Sequence, residues 1–176
     1  TKLVGRGIKR LRDLFNAAGG ADDVINSERC AMLGSAYKRL AKVLIETTQP
    51  WDDVHKALEQ AVKWYGKGES VPSRSDFSPY CAQNRLAVMA ALGKGDQSDA
   101  ALALQAGEIA RQRYAASRDY FDLIMAADGV LIARIIDGSL RDRPDDAERE
   151  ILGCYRDIRE QQPESARQLD SVITQI

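Results

Sequence analysis

Histidine is nearly missing from this chain of 176 residues: His55 is the only one. A single imidazole, with no second histidine and no paired cysteines nearby, gives no metal-ligand spacing. Ser–His or Cys–His nucleophilic catalysis would rest on that one residue, and no spacing supports it. Cysteine is scarce too. Cys30, Cys81 and Cys154 are odd in number and far apart, each among apolar residues. They read as small buried hydrophobes of a reducing compartment, so the expected location is the cytoplasm. No apolar run reaches the roughly 18 residues of a membrane span, and no signal peptide is visible. Neither charge sign is in excess, with 25 basic against 26 acidic residues and a net charge of −1. That balance argues against a dedicated nucleic-acid binder. Aromatic residues are sparse, and the five prolines stand between patterned segments, so no stretch reads as disordered.

Phosphate-binding glycine loops are also wanting. Gly66-Lys67-Gly68 and Gly93-Lys94-Gly95 lack the G-x-x-x-x-G-K-[ST] form and follow no strand, so they read as helix-ending turns. Carboxylates such as Asp145, Asp146, Glu148 and Glu150 fall at helix starts and on polar faces, where capping and solvation account for them. No residue is therefore assigned a catalytic, cofactor-binding or metal-binding role, and the chain is expected not to be an enzyme.

What is present is one pattern repeated along the whole length: apolar residues at a period of 3.6. Val4, Ile8, Leu11, Phe15 and Ala18 make the first stripe, ended by Gly19-Gly20. Cys30, Leu33, Tyr37, Leu40 and Leu44 make the second, from a Ser27 cap to the break before Pro50. Pro50 opens a third helix, with Asp52 and Asp53 in its first turn where the helix dipole favours anions. Gly66 and Gly68 are expected to close it. Residues 69–77 read as the chain's best loop. Ser78-Pro79 restarts a helix reaching Leu92, and a further helix covers 97–116. From Asp119 to Ile136 the sequence is apolar nearly all round, which predicts a centrally buried helix. Helices opened by Pro144 and Pro163 complete a count of about eight. No segment alternates at period 2. The fold class is all-α, in antiparallel helix pairs, and residues 1–176 form a single domain. Because the chain starts Thr1-Lys2-Leu3 without Met, it is expected to be a fragment of a longer polypeptide.

One stretch is more specific. In Cys30-Ala31-Met32-Leu33-Gly34-Ser35-Ala36-Tyr37, Leu33, Gly34 and Tyr37 resemble the first-helix signature of a tetratricopeptide (TPR) repeat, W-x-x-L-G-x-x-Y, with Cys30 in place of the tryptophan. A glycine there lets the partner helix approach closely while Leu33 and Tyr37 fill the space beside it. Ala57-Leu58-Glu59-Gln60-Ala61 resembles the second-helix core. The segments beginning Tyr80-Cys81-Ala82 and Asp119-Tyr120-Phe121, and the closing Leu169–Gln175, are similar to a divergent TPR-like region of large multidomain signalling proteins. That region includes one described as TRAF-binding in certain MAP kinase kinase kinases and in related bacterial chains. The resemblance covers most of residues 24–176. The first copy is longer than the roughly 34 residues of a TPR repeat, so a TPR-like α–α superhelix and a compact irregular helical bundle both remain open.

The resemblance implies a non-catalytic interaction or scaffolding module that binds a protein or peptide, or neighbouring domains of its parent chain, on a concave surface. If the first helix of each pair lines that surface, Glu28, Ala31, Ser35, Lys38 and Arg39 face the groove, and Arg85 joins them from the later copy. Lys38 and Arg39 would offer charge-assisted bonds to an acidic segment; the plainer reading is a solvated surface pair. The basic cluster Lys2, Arg6, Lys9, Arg10 and Arg12 is either a solvated helix face or a contact for an acidic partner. Two other classes stay open. A ligand-sensing domain of a larger signalling enzyme would need a concave pocket with convergent polar groups. A nucleic-acid-binding repeat would need a basic groove with aromatic platforms.

Overall fold

In the computed structural model the described residues are 2–17, 27–70 and 75–161. They form eight helices in chain order: α1 (Lys2–Ala17), α2 (Ser27–Glu46), α3 (Trp51–Glu69), α4 (Pro79–Ala91), α5 (Gln97–Ser117), α6 (Tyr120–Ile136), α7 (Ser139–Asp142) and α8 (Pro144–Gln161). No strand occurs among the described residues. The architecture is all-α and TPR-like.

Local chemistry sets most of the boundaries. Ser78 accepts the Cys81 N–H at 3.3 Å, and Pro79 occupies the first turn of α4, where its missing N–H costs nothing. Asp96 and Asp99 form a reciprocal capping box at α5. Asp119 accepts the Phe121 N–H at 3.0 Å to start α6. The turn after α4 runs through Gly93 (φ +67°) and Gly95 (φ +125°), and the one after α6 through Gly138 (φ +81°); these left-handed values suit glycine.

Two sequence expectations change, at the end of α3 and in α6. Gly66 and Gly68 do not stop α3, which continues to Glu69. A Cβ on Gly68 would stand 2.8 Å from Cys30 Cβ and 2.9 Å from Cys81 Sγ, so this glycine serves packing rather than termination. The stretch read as a loop begins and ends in the interior: Glu69 closes α3 and is buried, and Phe77 is buried as well. Helix α6 buries Leu123, Ile124, Ala127, Ile132 and Ala133 but leaves Phe121 and Ile135 exposed, so it is an inner helix with two uncovered apolar positions. The short α7 after Gly138 was not anticipated, and the helix expected from Pro163 lies outside the described residues, as does the Gly19-Gly20 stop.

Helix neighbours define the layering. α2 pairs with α3 and α5 with α6, each pair in close contact along its length, while α4 bridges them and touches α2, α3, α5 and α6. Along the stack α2 meets α4, α4 meets α6 and α6 meets α8, whereas α3 and α5 do not touch. The layer α2–α4–α6–α8 is therefore the side on which successive helix pairs meet, called the inner side below. α1 leans on α2, with Phe15 edge-on to Trp64 of α3 at 5.2 Å. At 20 and 19 residues, α2 and α3 exceed the usual repeat length together.

Candidate functional site on the inner helices

The core stripe of α2 (Cys30, Leu33, Tyr37, Leu44) is buried against α3 and its neighbours. That fixes the helix's rotation, and with it the direction of Ser35, Lys38 and Arg39. Ser35 Oγ lies 2.9 Å from the Tyr65 hydroxyl and 3.3 Å from that of Tyr80 on α4. Lys38 Nζ donates to Asn84 Oδ1 of α4 at 2.9 Å, and Asn84 donates back to the Tyr80 carbonyl at 3.0 Å. On α6, Asp128 accepts the Tyr155 hydroxyl of α8. Lys38 and Asp128 also feel each other's charge. A row of half-buried polar groups thus crosses four helices: Ser35 and Lys38, then Asn84, then Asp128, then Tyr155.

The electrostatics of the row follow from partial burial. Desolvation lowers the Lys38 amine below its ordinary value, with Asp128 working against the shift and Arg39 adding to it. Desolvation raises the Asp128 carboxyl above its ordinary value, opposed by the Tyr155 hydrogen bond and by Lys38. Tyr155 is pushed well above the usual phenol range, first by burial and then by Asp128. Each charge is held in a poorly solvated place where a correctly placed ligand charge or dipole gains more than it would in water.

The other residues singled out from sequence fall in different places. Arg85 turns outward from the row: its guanidinium holds Glu69 of α3 at 2.5 and 3.1 Å and Asp99 of α5 at 3.6 Å. It ties α4 to both second helices and stands apart from the inner row. Glu28 and Arg39 are exposed and line an open trough between α1, α2 and the start of α4. Ala31 and Ser35 line it too, so of the five α2 positions expected on one groove, Lys38 alone belongs wholly to the row. The α1 cations Arg6, Lys9, Arg10 and Arg12 are exposed. His55 is half-buried and packs its ring on Trp51, centroids 5.3 Å apart.

Sequence reasoning missed Asn84, Asp128 and Tyr155 as members of the row. Tyr80 and Asn84 are spaced i, i+4 on one helix face, a signal that would have favoured Asn84 over its neighbour Arg85. Asp128 is the one carboxylate deep inside the apolar α6 run, and a charge in such a run asks for a purpose. Among the described residues no group of three or more His, Cys, Asp and Glu side chains could hold a metal ion. No helix there is long and apolar enough to cross a membrane.

A family model described as Tetratricopeptide Repeats-Sensor matches residues 4–92, just over half of the chain. The chain belongs to this family. The matched span runs from the first turn of α1 to Leu92, just past the end of α4. It contains the Leu33-Gly34-Tyr37 signature, and also Ser35, Lys38, Tyr80 and Asn84 of the inner row. Asp128 and Tyr155 lie beyond the span that defines this Tetratricopeptide Repeats-Sensor chain. No curated protein and no solved structure matches it.

Proposed function

We propose that this domain is a non-catalytic recognition module that takes a protein or peptide partner on its inner face and serves a larger signalling protein. The observation that carries the reading is the Ser35–Lys38–Asn84–Asp128–Tyr155 row. A helical repeat needs apolar residues between its helices, but nothing in that packing calls for polar groups from α2, α4, α6 and α8 to converge on one side. Buried or half-buried polar groups cost free energy unless they are well paired. Keeping them on one surface makes sense where that surface meets a partner with hydrogen-bonding groups of its own. A segment presenting a carboxylate or backbone carbonyls suits Lys38 and Asn84, and backbone N–H groups suit Asp128. Membership of a tetratricopeptide-repeat family fits the same role, and the cytoplasm fits its free thiols.

A second reading is favoured by the convergence itself. Groups drawn from four helices within one half-buried row also suit a small polar ligand, and the family description carries the word Sensor. In that case the row reports a ligand, and the stack passes its occupancy to neighbouring domains.

One experiment separates these. The parent protein, Lys38→Met and Asn84→Ala are used to capture material from the source cell's lysate, with thermal melts run alongside. Captured proteins and small molecules are then both identified by mass spectrometry. We expect the variants to keep the parent's melting behaviour within a few degrees and to lose a captured protein. Loss of a captured small molecule instead would move the function to ligand sensing. Identical capture by parent and variants would remove the inner row from both readings.

A further inference from the structure

Helix α1 stands at one end of the stack, packed on α2 and, through Phe15, on Trp64 of α3. It holds five of the chain's 25 basic residues and one of its 26 acidic ones. The chain's net charge of −1 is therefore +4 over this helix and −5 elsewhere. Val4, Ile8, Leu11 and Phe15 face the first hairpin. Turned away from them run Leu3, Arg6, Arg10 and Leu14, at positions i, i+3, i+7 and i+11. They form a line about 16 Å long within a sector of about 80°. Leu3 is 76% and Leu14 67% exposed, more than any other large hydrophobic residue described. Arg6 and Arg10 are exposed between them, and Lys9 stands beside Arg10, about 100° round the helix. Among the described residues, Arg6, Lys9 and Arg10 have no ion-pair or hydrogen-bond partner. A single exposed leucine is ordinary, but two in line with unpaired arginines offer apolar and ionic contact on one surface.

We propose that this face of α1 lies on an anionic lipid surface. Leu3 and Leu14 dip below the headgroups, while Arg6, Lys9 and Arg10 stay at the level of the phosphates. The association is peripheral, since no described helix is long and apolar enough to cross a membrane. Charge complementarity orients the domain. Anionic headgroups attract α1 and repel the acidic remainder, so the stack stands away from the surface with α1 beneath it. The order of residues along the line selects lipid over other anions. A protein helix laid on it would cover the two arginines at the centre of the contact, where desolvation offsets most of what unlike charges return. A headgroup layer leaves the guanidinium groups hydrated beside phosphate while the leucines reach the acyl boundary. A nucleic acid would engage the cations but set the leucines against phosphate and sugar, where they gain nothing.

The test is sedimentation of the chain with two kinds of vesicle, one of phosphatidylcholine alone and one with about a third phosphatidylserine. Low salt is used first, where exposed charges act most strongly, and the binding should weaken as salt is added. We expect the parent to prefer the phosphatidylserine vesicles by about a hundredfold. Arg6→Gln/Arg10→Gln should lower binding to them by about thirtyfold. Leu3→Ser/Leu14→Ser should lower it by about tenfold and keep the preference for the anionic lipid. All four side chains are exposed, so thermal melts of both variants should match the parent's. Equal binding of the parent to the two vesicles, or binding to neither, overturns the proposal, and this comparison decides even if a variant fails to fold. Vesicle binding that ignores the leucines, or that an equal charge of polyuridylate or polyglutamate abolishes, also overturns it. The face would then belong to a nucleic acid or an acidic protein.

Discussion

The hairpins α2–α3 and α5–α6 solve one packing problem in two ways. Both bring two helices unusually close, and both use glycine to do so. At Gly34 in α2–α3 the glycine faces a ring: a Cβ there would meet ring atoms of Tyr65 at 2.8 Å. In α5–α6 the glycines face backbone. A Cβ on Gly129 would meet the Ala103 carbonyl oxygen at 2.6 Å and Gly107 Cα at 3.2 Å. A ring can tilt or slide by a few tenths of an ångström, whereas two helix backbones move only by parting the helices. The pairing is therefore tight but adjustable at Gly34, and tight and rigid at Gly129. Between them stands α4, held to α3 and α5 by Arg85 and to α6 by Gln83, whose amide donates to the Met125 carbonyl at 2.6 Å.

The seam between the hairpins should give the largest effect. Arg85→Met leaves Glu69, 7% exposed, without its bidentate partner. Removing one member of a buried pair costs about 3 kcal/mol, to be read from urea denaturation. If the loss is under about 0.5 kcal/mol, the seam is held by apolar contacts alone.

The hairpins themselves are compared by adding the same methyl group to each. Gly129→Ala should cost about 2 kcal/mol, because the clash is with backbone. Gly34→Ala should cost about 1 kcal/mol, since the Tyr65 ring yields in part and alanine favours the helix. Gly153→Ala in α8 is the control. Nothing lies within 4 Å of its added carbon, so we expect stabilisation of about 0.5–1 kcal/mol. Equal costs at Gly129 and Gly34 would erase the distinction between rigid and adjustable pairing.

Alkali should act first where α4 packs on the first hairpin, at Cys81 beside Gly68 and Ser27. Burial pushes the Cys81 thiol up from 9.0 to about 11 and raises Cys30 as well. A pKa raised by folding contributes stability that is complete below the unfolded value and lost as pH rises through the folded one. The window is therefore pH 9 to about 11, and Cys81 alone should cost about 1 kcal/mol by pH 10. Urea midpoints at pH 8 and pH 10, parent against Cys81→Ala, give the difference. Parallel behaviour of the two proteins would mean that the thiol opens to water before it titrates.

The same contrast explains what could be read from the sequence. Gly34 was legible because Leu33 and Tyr37 flank it at fixed spacing, and a glycine packed on a ring leaves a signature of large residues around it. Gly107 and Gly129 were not, because a glycine packed on backbone asks only for small neighbours, and alanines such as Ala103 and Ala126 look like ordinary helix formers. Helix type and order followed from the 3.6 period, since apolar spacing and proline positions act locally. Gly66 and Gly68 misled for the opposite reason: at Gly68, tertiary packing beside Cys30 and Cys81 outweighed the local preference to end a helix. Within the inner row, Ser35 and Lys38 could be placed from the α2 stripe. Asn84 and Asp128 carry local signals, but their joining with Tyr155 in one row depends on how three further helices are rotated against α2. One residue of phase error on α4 was enough to select Arg85 in place of Asn84.

The proposed recognition surface is the inner helices and not the outer pair α3 and α5. Backbone and side-chain NMR shifts, followed while a captured partner is titrated into the labelled domain, test it most directly. We expect the largest changes at Ser35, Lys38, Asn84 and Asp128, with α3 and α5 changing little beyond Tyr65. Changes concentrated instead on the exposed faces of α3 and α5, with the Lys38 and Asn84 side chains unmoved, would contradict it.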